Sequence, residues 1–322
     1  MNLVRSVFSK LSPMGSRSRL SVFIFHRVLP QPDPIFPSEV DAVRFDQMMC
    51  WVKDWFDVMP LDQAVTGLKS ATLPARAAAI SFDDGYADNF AVALPILQRH
   101  GLSSTFFIAT GFLDGGRMWN DTIIESIRAC AFATLDLSTL GLGAHNIRTP
   151  DEKRLAIAAL IRQIKYLPVA IRIDMTEKIA QVSQVDPPRD LMMTSGQVRE
   201  MDRAGMQIGA HTVTHPILAG LDLQDARQEI ADSKACLEHL LGHRVGLFAY
   251  PNGKPGADYL SEHATLVREL GFDGAFSTAA GTANLATDVY QIPRFTPWDR
   301  SYLRFGVRLM RNLRSQQQTC AL

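Results

Sequence analysis

Seven short apolar runs, each closed by a polar or glycine signal, recur at 20–28 (LSVFIFHRV), 78–82, 105–110 (TFFIAT), 207–211, 245–250 (VGLFAY), 274–277 and 291–295. Runs of this length and boundary read as buried strands. Between them lie helical patterns, clearest at 45–56 (FDQMMCWVKDWF), 61–70, 87–99 (ADNFAVALPILQR), 195–204 and 222–241, with a weaker one at 259–270. Gly101, Gly205, Gly242 and Gly271 stand just past helix ends, where a left-handed residue stops a helix. Repeated alternation of strand and helix predicts a parallel α/β architecture, and seven strands are enough to curl into a (β/α)7-type barrel. Active residues are then expected at the carboxyl ends of the strands.

The segment 112–193 breaks this rhythm. It reads as helices at 119–133, 151–167 and 169–184 with no confident strand between them, and we take it as a helical insertion in a domain spanning 20–296. Residues 1–19 and 297–322 form basic terminal segments; "LVRSVFSKL" and "SYLRFGVRLMRNLRS" set Arg and Lys beside apolar residues at near-helical spacing. Such stretches suit peripheral contact with a membrane, or a surface helix packed on the domain. No stretch approaches the roughly 20 apolar residues of a membrane span, and the apolar run at 20–25 is too short for a secretion signal. Four scattered cysteines without C-x-x-C spacing read as reduced thiols, so the cytoplasm, with the inner membrane surface as an option, is the expected location. Lys+Arg and Asp+Glu number 33 each, which leaves no overall basic field for nucleic acid.

The chemistry concentrates in two places. In "AAAISFDDGYADN", residues 77–89, an apolar strand stops at Asp83 and Asp84. Adjacent carboxylates repel and lose hydration there, so a cation, a shared proton or exposure to water must compensate. In "GMQIGAHTVTHPIL", His211 and His215 follow a short strand, and Pro216 prevents a regular helix from running through them. Two histidines four apart can aim at one point, or can be unrelated loop residues. Joined to a strand-ending carboxylate they make three protein ligands with a position left open, the arrangement of a catalytic zinc site.

"SFDDG" followed by "HTVTH", in this order and on strand ends, resembles the polysaccharide deacetylase family, carbohydrate esterase family 4 or NodB homology domain, over roughly 20–110 and 194–296. The resemblance implies a distorted, incomplete (β/α) barrel and metal-dependent removal of N-acetyl groups from amino sugars in a polysaccharide or lipid-linked glycan. By motif position Asp83 would be the general base, and Asp84, His211 and His215 would bind one divalent metal. Zinc is the first choice, with Co2+, Ni2+, Mn2+ or Fe2+ as substitutes. A metal acidifies water and polarises an amide carbonyl, so a neighbouring carboxylate can take the proton as water attacks.

Three departures from the family pattern stand out. In "LFAYPNGKPG", Ala249 occupies the family's arginine position and Asn252 its tyrosine position, as in an exopolysaccharide deacetylase-like branch. The family's oxyanion donor there is a backbone N–H, which Asn252 can supply, and Tyr250 would line the sugar pocket or serve as an ordinary strand tyrosine. For the missing arginine, Arg294 in "YQIPRFTPW" is the best replacement beside Asp83, unless it makes an unrelated ion pair. No Leu-x-His follows residue 263, so His26 in "FIFHRVLP", which resembles a "YHRV" branch segment, would be the general acid, or else a histidine satisfied in the core. In "GFLDGGRMWNDTIIE", Trp119 can stack on a sugar, although a helix cap at Asn120 or Asp121 explains the stretch as well. The same departures leave two alternatives: a hydrolase of non-sugar linear or cyclic amides, and a catalytically inactive glycan-binding homologue.

Overall fold

A computed structural model describes residues 3–315 and 320–321; residues 1–2, 316–319 and 322 of the expected basic termini lie outside the described residues. In chain order the elements begin with α1 (Leu3–Leu11), β1 (Ser21–Phe25), α2 (Ala42–Trp55), β2 (Asp57–Val58), α3 (Leu61–Lys69) and β3 (Ala77–Phe82). A π-helical turn over Asn89–Ala93 leads into α4 (Leu94–His100), then β4 (Thr105–Ile108), α5 (Trp119–Ala129), β5 (Thr134–Asp136), β6 (Ala144–Asn146), α6 (Pro150–Ile164) and α7 (Val169–Ser183). The rest comprises α8 (Ser195–Arg203), β7 (Gln207–Ala210), α9 (Leu223–Leu241), β8 (Leu247–Ala249), α10 (Ser261–Glu269), β9 (Gly274–Phe276) and α11 (Tyr302–Arg314). They fall into two compact units, one of residues 1–31, 40–113 and 193–322, the other of residues 32–39 and 114–192.

The first unit is a curled parallel sheet in the order β1-β3-β4-β7-β8-β9, with β2 paired to the start of β3. The seventh expected strand, 291–295, forms no regular ladder, but it spans the gap between the sheet's two ends. Phe295 N–H donates to Val22 O and Ile24 N–H to Phe295 O, while Ile292 exchanges bonds with Ala275 and Ser277. The strands are largely hydrophobic because both faces are covered, the usual condition of parallel sheets. Side-chain alternation still sorts them. Phe23, Phe25, Ala78, Ile80, Phe82, Phe106, Ile108, Ile208 and Phe248 pack under the surrounding helices. Val22, Ala77, Ala79, Phe107, Leu247, Ala249, Phe276 and Ile292 meet across the inside with α3, whose first N–H bonds Gln207 at the start of β7. Three of the inner residues are alanines, which leaves room for the Phe107–Phe276 ring pair at 5.4 Å. Gly209 is required there, because a Cβ at that position would lie 2.5 Å from the Phe107 ring.

Alternation also aims the site. Residues 77, 79 and 81 face inward, so Asp83 continues on the inner face; by the same count His211 follows Gly209 and Arg294 follows Ile292.

The second unit has its own core of Ile123, Ile127, Ile157, Leu160, Ile164 and Ile179, contributed by α5, α6 and α7. The insertion thus brings a core of its own, and residues 32–39 join it: Ile35 enters the core, and Arg128 takes both oxygens of Asp33 at 3.1 and 2.7 Å. The expectation of helices alone is corrected by the antiparallel β5–β6 pair. That hairpin escapes a hydrophobic pattern because in β5 only Leu135 is buried. Among the described residues no helix is long and apolar enough to cross a membrane.

Candidate active site

Asp83 directly follows β3 with 1% of its surface exposed, and its two oxygens receive Arg294 Nη1 and Nη2, each at 2.7 Å. Arg294 is equally buried and is fixed in turn, its Nε donating to Ser277 O at 2.9 Å and Nη1 approaching Ser81 Oγ at 3.3 Å. The planar guanidinium matches a carboxylate fork, and with both side chains buried the pair is strongly oriented. Burial alone would raise the Asp83 carboxyl. The Arg294 charge, then that of His211, outweighs burial and holds it below its ordinary value, so Asp83 is ionised at neutral pH.

Asp84 turns the chain. Its φ of 79° is left-handed, as is Gly85 beyond it, and the reversal lets adjacent residues serve one centre although strand alternation would send them to opposite faces. Thr212, His215 and Asn252 also have positive φ, at 65°, 53° and 57°. Such conformations cost about 1–3 kcal/mol each and collect where geometry matters for function. The turn carrying the histidines is braced by Glu229 of α9, whose carboxylate accepts from the N–H groups of Val213 and Thr214 at 2.9 Å and from Thr214 Oγ1 at 2.6 Å.

His211 Nδ1 lies 2.7 Å from Ala249 O, and a carbonyl only accepts, so Nδ1 carries the proton and Nε2 presents its lone pair. The Nε2 atoms of His211 and His215 both stand 3.4 Å from Asp84 Oδ1, a buried oxygen with no hydrogen-bond partner among the described residues. One ligand atom from each of the three residues lies within 4.8 Å of the others. Burial pulls His215 down to about 4, leaving it neutral at neutral pH. Burial also pulls on His211, but the neighbouring carboxylates of Asp84 and Asp83 raise it on balance. A divalent cation competes with that proton for Nε2 and offsets the same negative charge. An orphaned carboxylate oxygen facing two imidazole nitrogens is therefore a set that fits a divalent metal.

His26 is exposed at the end of β1, near enough for its charge to act on Asp83, Asp84 and His215. Its backbone is held from the tail of the aspartate motif: Asn89 Nδ2 donates to His26 O at 2.9 Å, and Asp88 accepts from Arg27 Nε at 2.7 Å and Val28 N–H at 3.1 Å. "HRV" and "ADN" are thus two sides of one contact that neither stretch reveals alone. Asn252 sits in the turn after β8 with its carbonyl taken by Thr278 Oγ1, and its N–H has no partner among the described residues.

Two expected sugar contacts fare differently. Tyr250 is fully buried, stacks on Tyr259 with ring centroids 3.8 Å apart, and donates its hydroxyl to Tyr290 O at 2.8 Å. A ring without exposed surface cannot line a pocket, so Tyr250 is a core residue and the expectation is corrected. Trp119 belongs to the second unit, half-buried against its core, with the Arg172 guanidinium 5.0 Å from its ring. Ser81, Ser277, Glu229 and Asn89 join the site through contacts that the sequence does not display. Of these only Ser81 carries a signal, standing two residues before Asp83 on the same strand face.

Comparison with known proteins bears on family and fold. The polysaccharide deacetylase family model matches residues 70–133 and 174–275. The Bacillus subtilis (strain 168) protein YxkH is 19% identical over 279 residues, covering 86% of this chain and 71% of its own. Among solved structures, the Streptococcus pyogenes deacetylase PplD superposes with a TM-score of 0.61 at 18% identity, covering 92% of this chain and 98% of its own. IcaB from Ammonifex degensii gives 0.57 at 18% identity, covering 94% and 99%. At such identities the structural likeness is one of fold.

Proposed function

The chain belongs to the polysaccharide deacetylase family, whose members hydrolyse amide bonds, and from that premise we propose that it is a metal-dependent hydrolase removing N-acetyl groups from an amino sugar within a polysaccharide or lipid-linked glycan. The observation that carries this reading is the convergence of the orphaned Asp84 Oδ1 with His211 Nε2 and His215 Nε2 beside a buried, ionised Asp83. A divalent cation held by Asp84, His211 and His215, zinc by preference, would supply Lewis acidity, polarising the acetyl carbonyl and acidifying water.

The chain's own residues would do the rest. Each Asp83 oxygen keeps a lone pair beyond the one given to Arg294, so Asp83 can take the proton of an attacking water while Arg294 holds it in place. The Asn252 N–H would steady the oxyanion that forms as the carbonyl becomes tetrahedral. An amine leaves poorly as an anion, and His26 at the open end would protonate it. The PplD structure holds acetate, the acid that such a reaction releases.

Incubating the metal-loaded protein with N-acetylglucosamine oligomers is expected to yield acetate and primary amine in equal amounts. Cleavage of a cyclic amide with no acetate released from any N-acetylated glycan would move the activity away from sugars. His26→Ala separates the acid from the base: amide hydrolysis should fall about 10²–10⁴-fold. Hydrolysis of an aryl acetate, whose phenolate leaves without a proton, should change little. An equal fall for both substrates would remove His26 from the role of acid.

A further inference from the structure

Helix α11 lays Phe305, Leu309 and Leu313 into the core and turns the opposite face outward. On that face Leu303 is 75% exposed and Val307 is 44% exposed, one turn apart, with Arg304, Arg311 and Arg314 exposed beside them. Trp298, 59% exposed, stands at the head of the helix. The Arg308 guanidinium lies 4.0 Å from its ring, and Arg44 donates to its carbonyl.

The charge is segregated as well. Residues 300–322 hold five arginines and no acid, and residues 1–19 hold four Lys or Arg and no acid. These segments adjoin: α1 packs against α11, and Arg19 Nη1 donates to Ser315 O at 3.2 Å. Because the whole chain is neutral, residues 20–299 carry a matching surplus of nine acids. Packing accounts for the inward face of α11. It does not account for an outward face whose charges are all positive and whose large side chains are apolar.

We propose that the outward face of α11, headed by Trp298 and flanked by the basic residues of α1, docks the protein on an anionic lipid surface. Leucine, valine and tryptophan suit the boundary between headgroups and acyl chains, and the arginines around them meet lipid phosphates. The face starts four residues beyond Arg294, so the docked surface lies next to the carboxyl end of the closing segment that carries the site. The docking is independent of the reaction assigned to that site.

The test is co-sedimentation of the full chain with phosphatidylglycerol-containing vesicles and with pure phosphatidylcholine vesicles, at low and high salt. The protein should bind the anionic vesicles, bind the neutral ones far less, and lose binding as salt rises. The double substitution Arg304→Glu/Arg311→Glu should weaken binding at least about tenfold, and Leu303→Ser/Val307→Ser should weaken it at low and high salt alike. Both pairs are surface changes, and an unchanged thermal midpoint verifies that the variants fold. Equal binding to neutral vesicles, binding unaffected by both double substitutions, or retention by a soluble polyanion with no binding to vesicles would overturn the proposal.

Discussion

Asp83→Asn is expected to lower de-N-acetylation by about 10²–10⁴-fold per folded, metal-loaded molecule, the range for loss of a general base. The expectation follows from the contacts at the end of β3. Asp83 touches none of the three ligating side chains through a hydrogen bond; both its oxygens go to Arg294, and its base strength is the only catalytic property that the amide removes. Metal content should therefore stay at the wild-type ratio, because Asp84, His211 and His215 are untouched. Metal content and rate falling together would make Asp83 a ligand instead. The substitution also leaves Arg294 facing a neutral amide, so some stability is lost, and the rate must be referred to folded protein.

The second large effect concerns stability. Arg294→Met removes the cation bonded to Asp83, and breaking a buried pair from one side costs about 3–5 kcal/mol, because the buried charge left behind loses its partner. Chemical denaturation should register this as a lower midpoint with an unchanged slope. The sign with pH follows from the depressed Asp83 carboxyl. In the wild type, the pair's stabilisation is fully present above the unfolded carboxyl value of about 3.9 and is lost as pH falls through the lower folded value. Without Arg294, burial prevails and Asp83 holds its proton to higher pH, so the acid limb of the pH–rate profile should move upward. Arg294→Lys should recover part of the stability as a point charge without the planar fork. A variant as stable as the wild type, with an unmoved acid limb, would show that the pair contributes little to either property.

The arrangement of the barrel and the core of the site are legible in the sequence for a common reason. Buried parallel strands are mostly apolar, so a charged or imidazole side chain at the carboxyl end of such a strand is conspicuous, as those of Asp83, His211 and Arg294 are. Their shared inward direction follows from counting along β3, β7 and the 291–295 segment. What stays hidden depends on contacts between distant residues or on weak local patterns. Tyr250 looks like a pocket residue beside a motif, but Tyr259 and Tyr290, from other parts of the chain, take its ring and its hydroxyl into the core. The β5–β6 hairpin presents alternating exposed polar residues too short to register, and residues 32–39 join the second unit through Ile35 and Asp33 without any marker of their own. Glu229 is an ordinary surface-patterned glutamate of α9 until the 211–215 turn folds against it.

Stripping the metal and restoring it bears most directly on the central claim. We predict that chelated protein releases no acetate from an N-acetylglucosamine oligomer, that one equivalent of zinc restores the rate, and that His215→Ala neither binds that equivalent nor regains activity. Full acetate release by the stripped protein, or restoration by zinc in His215→Ala equal to that of the wild type, would contradict the assignment of Asp84, His211 and His215 as the metal centre of a hydrolase.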